Sequence, residues 1–439
     1  MKSLFVFFKQ NSLKGVLILI LSWLLGFASM TLVYKLDTAS MIQHVKESVI
    51  NFQQEGDYPR WSKEFGFTQK DNFTDAIMLS TAIYPKKDKS FVMALKNYNA
   101  IFSRDNTGPI ETLINFVSGQ KDKVHEGAYA RYWHGYCVVL KPLLKVFSYG
   151  DIRCLNYIVQ LALLALLFIK THECLGWRGA LALGMGVVVL NPVSAATSLM
   201  FSLIFYPTVL SCIVLLLMQK NGVEDKDIFG VFLVTGIFSS FFDFLSYPIA
   251  SLGLPLCLIL CCRNKKRFYS FQENLLFFVI ASVVWGFGYF GMWIGKWILA
   301  TLLTDQNIFL DAYKAALFRL GGEVPWMKGQ ELTALQVIKA QLAIFKIKAI
   351  VVTVLLFTIF LLAGLVKNRD KVREGLLREK SLLLSLFFTA MLPIVWAIVL
   401  KNHSFIHTFF THKGYCVTFF ALAMLSLIIC YPRNTDKLK

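Results

Sequence analysis

The acidic motif at residues 71–75 could carry acid–base chemistry. It reads Asp-Asn-Phe-Thr-Asp and an apolar stretch follows it, so in a helix Asp71 and Asp75 would lie one turn apart on the same face. One carboxylate could act as a general base, and two together could hold a divalent cation. The alternative is that both acids belong to a capped helix start that is exposed to water.

Asp243 is a second candidate for acid–base work. It lies in the segment Phe-Phe-Asp-Phe-Leu-Ser-Tyr-Pro at residues 241–248, near the middle of an apolar run. A carboxylate in such a run is costly to bury, and in membrane proteins it indicates either a functional site or a structural polar contact. Both interpretations stay open for Asp243.

Residues 131–136, Arg-Tyr-Trp-His-Gly-Tyr, place a cation beside aromatic and hydrogen-bonding groups. Arg131, Tyr132 and His134 could bind the phosphate of a substrate through charge-assisted hydrogen bonds. The alternative is an aromatic belt at the membrane surface with a snorkelling arginine. Either way, the motif is expected at the level of the lipid headgroups.

A further cationic motif lies at residues 401–413. His403 and His407 are one helical turn apart, and Lys413 follows them. Together these side chains could contact a phosphate. A zinc site would need a third ligand within reach, and an ordinary interfacial turn is the remaining alternative.

The elements that must position these motifs are apolar helices. Hydrophobic residues make up 56% of the 439 residues, and charge-poor stretches long enough to cross a bilayer recur along the chain. In a soluble protein the net charge of +18 would suggest nucleic acid, but here much of the excess lies at the ends of apolar stretches, as in membrane proteins. We predict an all-α polytopic membrane protein, with one integral membrane domain over residues 1–439 and no nucleic acid partner.

The apolar stretches predict ten transmembrane helices with both termini in the cytoplasm. Basic residues before the first span, across residues 367–380 and in the C-terminal tail favour this orientation. The run 228–262 is short for two spans and would also fit a hairpin that crosses only partly. The predicted spans are 15–34, 152–169, two within 179–219, two within 228–262, 275–294, 348–366, 381–400 and 415–431.

Two long hydrophilic segments, residues 35–150 and 295–347, are expected outside the cytoplasm. The first is too long to be a simple connector, so we expect it to carry part of a site. Apolar residues recur at helical spacing from Val139 to Phe147, with Lys141 and Lys145 on the opposite face. This pattern predicts a helix that lies along the membrane surface, although Pro142 fits only a first turn or a kink.

In these motifs and this layout the chain resembles the polytopic glycosyltransferases of the GT-C superfamily, which use a polyprenyl-phosphate sugar as donor. The motifs at 131–136, 242–248 and 402–407 also resemble those of bacterial membrane proteins encoded with cell-surface polysaccharide genes. One feature departs from the superfamily, whose acidic motif usually follows the first span closely and often has adjacent acids. Because Asp71 and Asp75 come about 40 residues after that span, Asp243 and Glu126 stay open as alternative bases.

The resemblance implies an inverting transfer of a sugar to an extracytoplasmic glycan or lipid-linked acceptor at the plasma membrane. An aspartate would accept the proton of the acceptor hydroxyl, while Arg131, Lys413 and the histidines balance charge on the departing lipid phosphate. No nucleotide-sugar or P-loop glycine pattern is present. A reaction without a cofactor or metal is favoured, and a divalent cation is the alternative.

Two other functions compete with this one. A polysaccharide polymerase would share the span count and the basic outer loops, but it would lengthen chains instead of decorating them. A lipid or glycan transporter (a flippase) would place polar residues through the middle of several spans, and most spans here have few. The glycosyltransferase hypothesis predicts that Asp75, Arg131, Asp243 and His403 meet in one pocket at the extracytoplasmic face.

Overall fold

The structure is a computed structural model that describes residues 2–62, 66–103, 107–219, 224–324, 326–327 and 331–432. This part of the chain is mostly helical, which confirms the all-α class, and it contains several helices apolar enough for a membrane. The basic C-terminal tail invoked for the orientation lies outside the described residues.

The segment between the first two long helices folds into short helices and one small sheet. Strand β1 pairs antiparallel with β2, with Tyr98 opposite Ala128. The sheet is an exception to the all-α pattern and ties two distant parts of this segment together. The elements are α1 (Lys2–Val33), α2 (Ala39–Glu55), α3 (Asn72–Ile83), α4 (Ser90–Lys96), β1 (Tyr98–Ser103), α5 (Pro109–Val117), β2 (Val124–Ala128) and α6 (Cys137–Leu144).

The rest of the described chain is a bundle of longer helices with short ones at one end. The elements are α7 (Tyr149–Leu190), α8 (Pro192–Ala196), α9 (Leu199–Met218), α10 (Asp225–Phe242), α11 (Ile249–Lys266), α12 (Phe271–Leu303), α13 (Ile308–Leu320), α14 (Ala334–Ala343), α15 (Lys348–Lys367), α16 (Arg369–Val399), α17 (Lys401–Ile406), α18 (Thr408–Thr411) and α19 (Cys416–Cys430).

Seven helices of the described chain are long and apolar enough to cross a membrane, so the prediction of ten spans is not supported. These helices are Ser12–Val33, Tyr149–Leu190, Leu199–Met218, Phe271–Leu303, Lys348–Lys367, Arg369–Val399 and Thr408–Cys430. The difference has two physical causes.

The first cause is that two predicted spans form one element, α7. Its helix is broken only at Gly176, which has a φ of 71°. The part after this break, from Trp177 to Leu190, would be about 21 Å long and is too short to cross a hydrocarbon core of about 30 Å alone. The second cause is that α10 and α11 have only 18 residues each. Each has three charged residues at one end, so the apolar part of each helix is too short to be counted as a span.

A helix is present as α6 in the segment where one was predicted along the membrane surface, but the position of its lysine differs from the prediction. Lys141 is fully buried and donates a hydrogen bond of 2.6 Å to the carbonyl oxygen of Ala82, whereas Val139 is exposed. The side chain also lies over the ring of Tyr34. Its placement on an exposed polar face was therefore wrong, because a carbonyl and an aromatic ring from distant segments bind the ammonium group.

Close contact between α10 and α12 fixes the end of the bundle where the candidate site lies. A Cβ atom on Gly236 would lie 2.2 Å from the carbonyl oxygen of Trp285, and one on Gly288 would lie 2.4 Å from that of Leu233. Small residues allow helix backbones in membranes to approach in this way. The packing holds the turn after α10 beside the C-terminal half of α12.

Candidate functional site

A cationic cavity of about 340 Å³ lies at one end of the bundle, which we call the cationic pocket. Three separate parts of the chain form it: the 131–136 motif, helix α13 and helix α17. The described residues that line it are Arg131, Asp311, Lys314, Ala315, Phe318, Arg319, Asn402, His403 and His407. The structure thus joins both cationic motifs found in the sequence, through a helix that the sequence analysis did not single out.

Arg131 enters the pocket from the start of its motif. Its Nε atom lies 3.3 Å from a carboxylate oxygen of Asp311, and its guanidinium group lies 5.4 Å from the ring centre of Tyr129. The backbone is held in place because the indole of Trp297 donates a hydrogen bond of 2.9 Å to the carbonyl oxygen of Arg131. The arginine is therefore positioned by three groups and does not extend freely into solvent.

Helix α13 supplies most of the charge in the pocket. Asn307 caps its first turn by accepting a hydrogen bond of 3.1 Å from the backbone N–H of Leu310. Asp311, Lys314 and Arg319 then face the cavity, and Arg319 lies 5.5 Å from the ring centre of Tyr132. Tyr132 therefore contributes to the site as the aromatic support of a cation.

Helix α17 closes the pocket with His403, together with His407 directly after the end of the helix. Their ring centres are 4.8 Å apart, and His403 Nε2 donates a hydrogen bond of 2.6 Å to the carbonyl oxygen of Leu245. Burial, with Arg319 as a smaller cause, lowers the pKa of His407 to about 4, and burial lowers the pKa of His403 well below its usual value. Both rings are therefore neutral near pH 7, and the positive charge of the pocket comes from its arginines and lysine.

Asp243 is connected to His403 through Leu245, whose backbone both side chains contact, but it does not line the pocket. Its carboxylate accepts hydrogen bonds from the backbone N–H groups of Leu245 and Ser246, at 2.9 and 2.8 Å, and from the Ser246 hydroxyl at 2.5 Å. Asp243 is fully buried and shapes the turn between α10 and α11. This arrangement fits the structural alternative better than a base in contact with substrate.

Asp75 does not line the cationic pocket, so the four-residue cluster expected there does not form as a whole. Its carboxylate accepts hydrogen bonds from the backbone N–H groups of Leu199 and Met200, at 2.8 and 2.9 Å, and from the hydroxyls of Tyr149 and Ser198. It is fully buried and caps the start of α9. Burial raises its pKa, and the hydrogen bonds oppose that rise.

Asp71 caps helix α3 by accepting a hydrogen bond of 2.9 Å from the backbone N–H of Thr74. Its other carboxylate oxygen, Oδ2, is buried and has no hydrogen-bond partner within the described chain. Burial raises the pKa of Asp71 to about 7. A proton on this oxygen at neutral pH would explain how the group tolerates its environment.

Two other candidates are held elsewhere. The Lys413 ammonium donates hydrogen bonds of 2.9 Å to the carbonyl oxygen of Leu190 and to the hydroxyl of Ser194. His134 contacts the Tyr129 carbonyl oxygen at 2.9 Å and the Tyr136 hydroxyl at 3.1 Å. Neither side chain lines the cationic pocket, so the expected phosphate contacts are replaced by contacts to the protein itself.

A second, apolar cavity of about 910 Å³ lies between α6, α7, α9 and α10. It extends from Asp227 near the start of α10 to Phe242 at its end, and its lining is mostly aliphatic and aromatic. Tyr136 of the 131–136 motif and Phe242 of α10 both line it, and Gly135 N–H of the same motif donates a hydrogen bond of 2.9 Å to the Phe241 carbonyl oxygen. The 131–136 motif therefore contributes to both cavities, with Arg131 in the cationic pocket and Tyr136 in the apolar cavity.

The sequence analysis missed Asp311, Lys314 and Arg319. Their spacing at i, i+3 and i+8 places them on adjoining sides of a helix, and this was the signal available in the segment 295–347. Within the described ranges, no group of three or more His, Cys, Asp or Glu residues is arranged to hold a metal ion. No family model matches the chain, and no curated protein or solved structure matches it either.

Proposed function

We propose that this protein is a membrane glycosyltransferase that binds the phosphate of a polyprenyl-phosphate sugar in the cationic pocket. The observation that carries the proposal is the convergence of Arg131, Lys314 and Arg319 around one cavity at the end of the apolar bundle. Three cations opposite one carboxylate leave net positive charge, and guanidinium groups suit phosphate oxygens. That the transferred group is a sugar rests on the resemblance to the GT-C superfamily.

Asp311 replaces the earlier candidates as the proposed base. It is the only carboxylate among the described residues that line the pocket, and about half of its side chain is exposed, so an acceptor hydroxyl could reach it. In the proposed step the acceptor oxygen bonds to the anomeric carbon and gives its proton to Asp311. The bond from that carbon to the phosphate oxygen breaks, and the phosphate keeps the electron pair next to Arg131 and Arg319.

The apolar cavity supports a substrate with a long hydrocarbon chain. Its lining offers few polar groups, among them Asn156 and Ser202, which are already hydrogen-bonded to one another at 2.7 Å. A polyprenyl chain would enter such a cavity from the bilayer, where it is already out of water, so the cavity would hold it by van der Waals packing. The extracytoplasmic position of the pocket and a bacterial plasma membrane are part of the same proposal.

Binding in lipid nanodiscs would test the phosphate half of the proposal. Polyprenyl phosphate should bind at least about tenfold more tightly than uncharged polyprenol, and Arg319→Ala should remove most of that difference, since hydrogen bonds to charged groups contribute about 1.5–3 kcal/mol. Arg373→Ala, an exposed residue of α16, is the matched control and should bind like wild type. Equal affinity for both lipids would contradict the proposal.

The catalytic half needs a separate readout. Asp311→Asn should keep the affinity for polyprenyl phosphate and abolish sugar addition to the surface glycan, measured by composition and linkage in cells that express only the variant. Full sugar addition by Asp311→Asn would exclude it as the base. Loss of long chains with intact side sugars would instead favour the polymerase.

A further inference from the structure

Helix α13 has an exposed apolar face on the side away from the cationic pocket. At 100° per residue, five large side chains fall within about 100° of the helix circumference. These are Phe309, Leu310, Tyr313, Leu317 and Leu320, each between 45% and 61% exposed. The residues that line the pocket occupy the remainder of the circumference together with the buried Ile308 and Ala312. The helix therefore has one charged side towards the cavity and one apolar side that the described chain leaves uncovered.

The apolar face continues the lipid-facing surface of α12. Only four residues separate the end of α12 from the start of α13. Leu302 and Leu303 at the end of α12 are exposed, and the Phe309 ring lies 6.0 Å from the ring of Trp297 on α12. Because α12 is long and apolar enough to cross a membrane, an apolar face that adjoins its end through the contact of Phe309 with Trp297 borders the same hydrocarbon layer.

We infer that α13 lies in the surface of the bilayer, with Phe309, Tyr313 and Leu317 among the acyl chains. A helix with one apolar and one charged side takes up this position because it buries the first and keeps the second at the headgroups. The occupant of the exposed face is thus membrane lipid. The pocket on the other side of the same helix then opens at headgroup depth.

This placement has a consequence for any ligand of the pocket. An anionic headgroup could enter sideways from the leaflet while its hydrocarbon chain stays in the membrane, since Asp311, Lys314 and Arg319 belong to the helix that lies there. This consequence extends the proposed function to the route of entry. The position of α13 itself does not depend on sugar transfer.

Spin labels on α13 would test the inference in the full-length protein. Tyr313→Cys and Leu317→Cys would be labelled separately in a Cys154→Ser, Cys174→Ser background, because the other native cysteines are buried. Accessibility to oxygen and to a water-soluble nickel complex would be measured in nanodiscs. Leu355→Cys, on an exposed part of α15, is the lipid reference, and Asp122→Cys is the water reference.

Both α13 labels should match the lipid reference, with high oxygen and low nickel accessibility. Nickel accessibility equal to that of the Asp122 label would place α13 in water and overturn the inference. Protection from both reagents would also overturn it, since a protein partner or a second copy would then cover the face. If the labels match lipid but polyprenyl phosphate does not bind, the placement of α13 stands and the proposed function fails.

Discussion

The imidazole Nε2 of His403 donates a hydrogen bond of 2.6 Å to the backbone carbonyl oxygen of Leu245. Leu245 has a φ of 79°, a left-handed conformation that costs a residue with a side chain about 1–3 kcal/mol. Asp243 holds the same turn from within the protein through the Leu245 and Ser246 N–H groups. A residue of the cationic pocket therefore helps to maintain a strained turn.

We expect His403→Ala to reduce the free energy of unfolding by about 1–3 kcal/mol, because the Leu245 carbonyl oxygen loses its side-chain donor inside the protein. His403→Gln keeps a donor and should lose less. Thermal unfolding of the purified variants in detergent would measure both. If His403→Ala is as stable as wild type, the hydrogen bond does not hold the turn.

Gly135 marks a place where the 131–136 motif touches the end of α10. A Cβ atom there would lie 2.4 Å from ring carbons of Phe241 and 2.5 Å from its carbonyl oxygen. Gly135→Ala should therefore separate the two segments, lower stability by roughly 1–3 kcal/mol and weaken anion binding by displacing Arg131. Thermal unfolding and a binding assay would report the two effects.

Gly184→Ala is the control for that experiment. Gly184 lies in α7, and a Cβ atom there would have nothing within 4 Å of it among the described neighbours. Alanine favours a helix over glycine by about 1 kcal/mol, so this variant should be as stable as wild type or more stable. A similar loss in both variants would show that the effect at Gly135 is not steric.

Asp75→Asn distinguishes a cap from a catalytic base. The amide has one acceptor oxygen, so it cannot replace both carboxylate oxygens that bind Leu199 N–H and Met200 N–H, and we expect a loss of about 1–3 kcal/mol in stability. Activity per folded molecule should stay close to wild type. Asp122→Asn, at an exposed position, should change neither quantity. Lost activity at full stability would restore Asp75 as a base.

The helical bundle could be predicted from the sequence because its signals are local. Apolar runs and the basic residues beside them identify α15 almost to the residue, whereas α12 begins four residues before and ends nine residues after its predicted span. The span count was too high because the helix that follows the break at Gly176 ends at Leu190, and an apolar pattern does not show that this helix is too short to cross alone.

The site was harder to predict because its contacts are distant in the chain. Arg131 and His403 were recognised as candidate phosphate ligands, yet their common partner is α13, whose charges lie in a segment interpreted as a loop. The role of Asp75 depends on N–H groups more than 120 residues away, and no local pattern indicates them. The motifs therefore identified polar residues that the fold holds in place. They did not distinguish a residue that caps a helix from one that could take part in a reaction.

Asp71 should make stability depend on pH. Burial raises its pKa from 3.8 to about 7, so between these values the folded state holds a proton that the unfolded state has released. The contribution to stability is thus fully present below about pH 4 and is lost as the pH rises to 7, on the order of 4 kcal/mol in total. Asp71→Asn cannot ionise and keeps an oxygen for the Thr74 N–H, so this contribution should no longer vary with pH.

Unfolding curves of wild type and Asp71→Asn from pH 4 to pH 8 would measure that difference. The variant should gain stability relative to wild type as the pH rises, with most of the gain complete at pH 7. Parallel curves for the two proteins would show that Asp71 titrates normally. The difference in stability between the two proteins is compared at each pH because the other acids contribute equally to both curves.

The arginines, and not the histidines, should carry the charge that binds an anion in the cationic pocket. The pKa of His407 is about 4 and that of His403 is well below its usual value, so neither ring gains a proton between pH 5.5 and 8. A phosphodiester lipid does not change its own charge in this range. Its affinity should therefore vary by less than about twofold across these pH values, since Arg131 and Arg319 stay charged.

The affinity of the phosphodiester lipid for the protein in nanodiscs would be measured from pH 5.5 to 8, for wild type and for His407→Gln. We expect flat and nearly coincident profiles for wild type and variant. An affinity that rises severalfold as the pH falls through 6.5, and that His407→Gln makes flat, would show that the ring is exposed enough to ionise. The histidines would then be direct partners of the phosphate, as the sequence motif first suggested, and the arginines alone would not define the site.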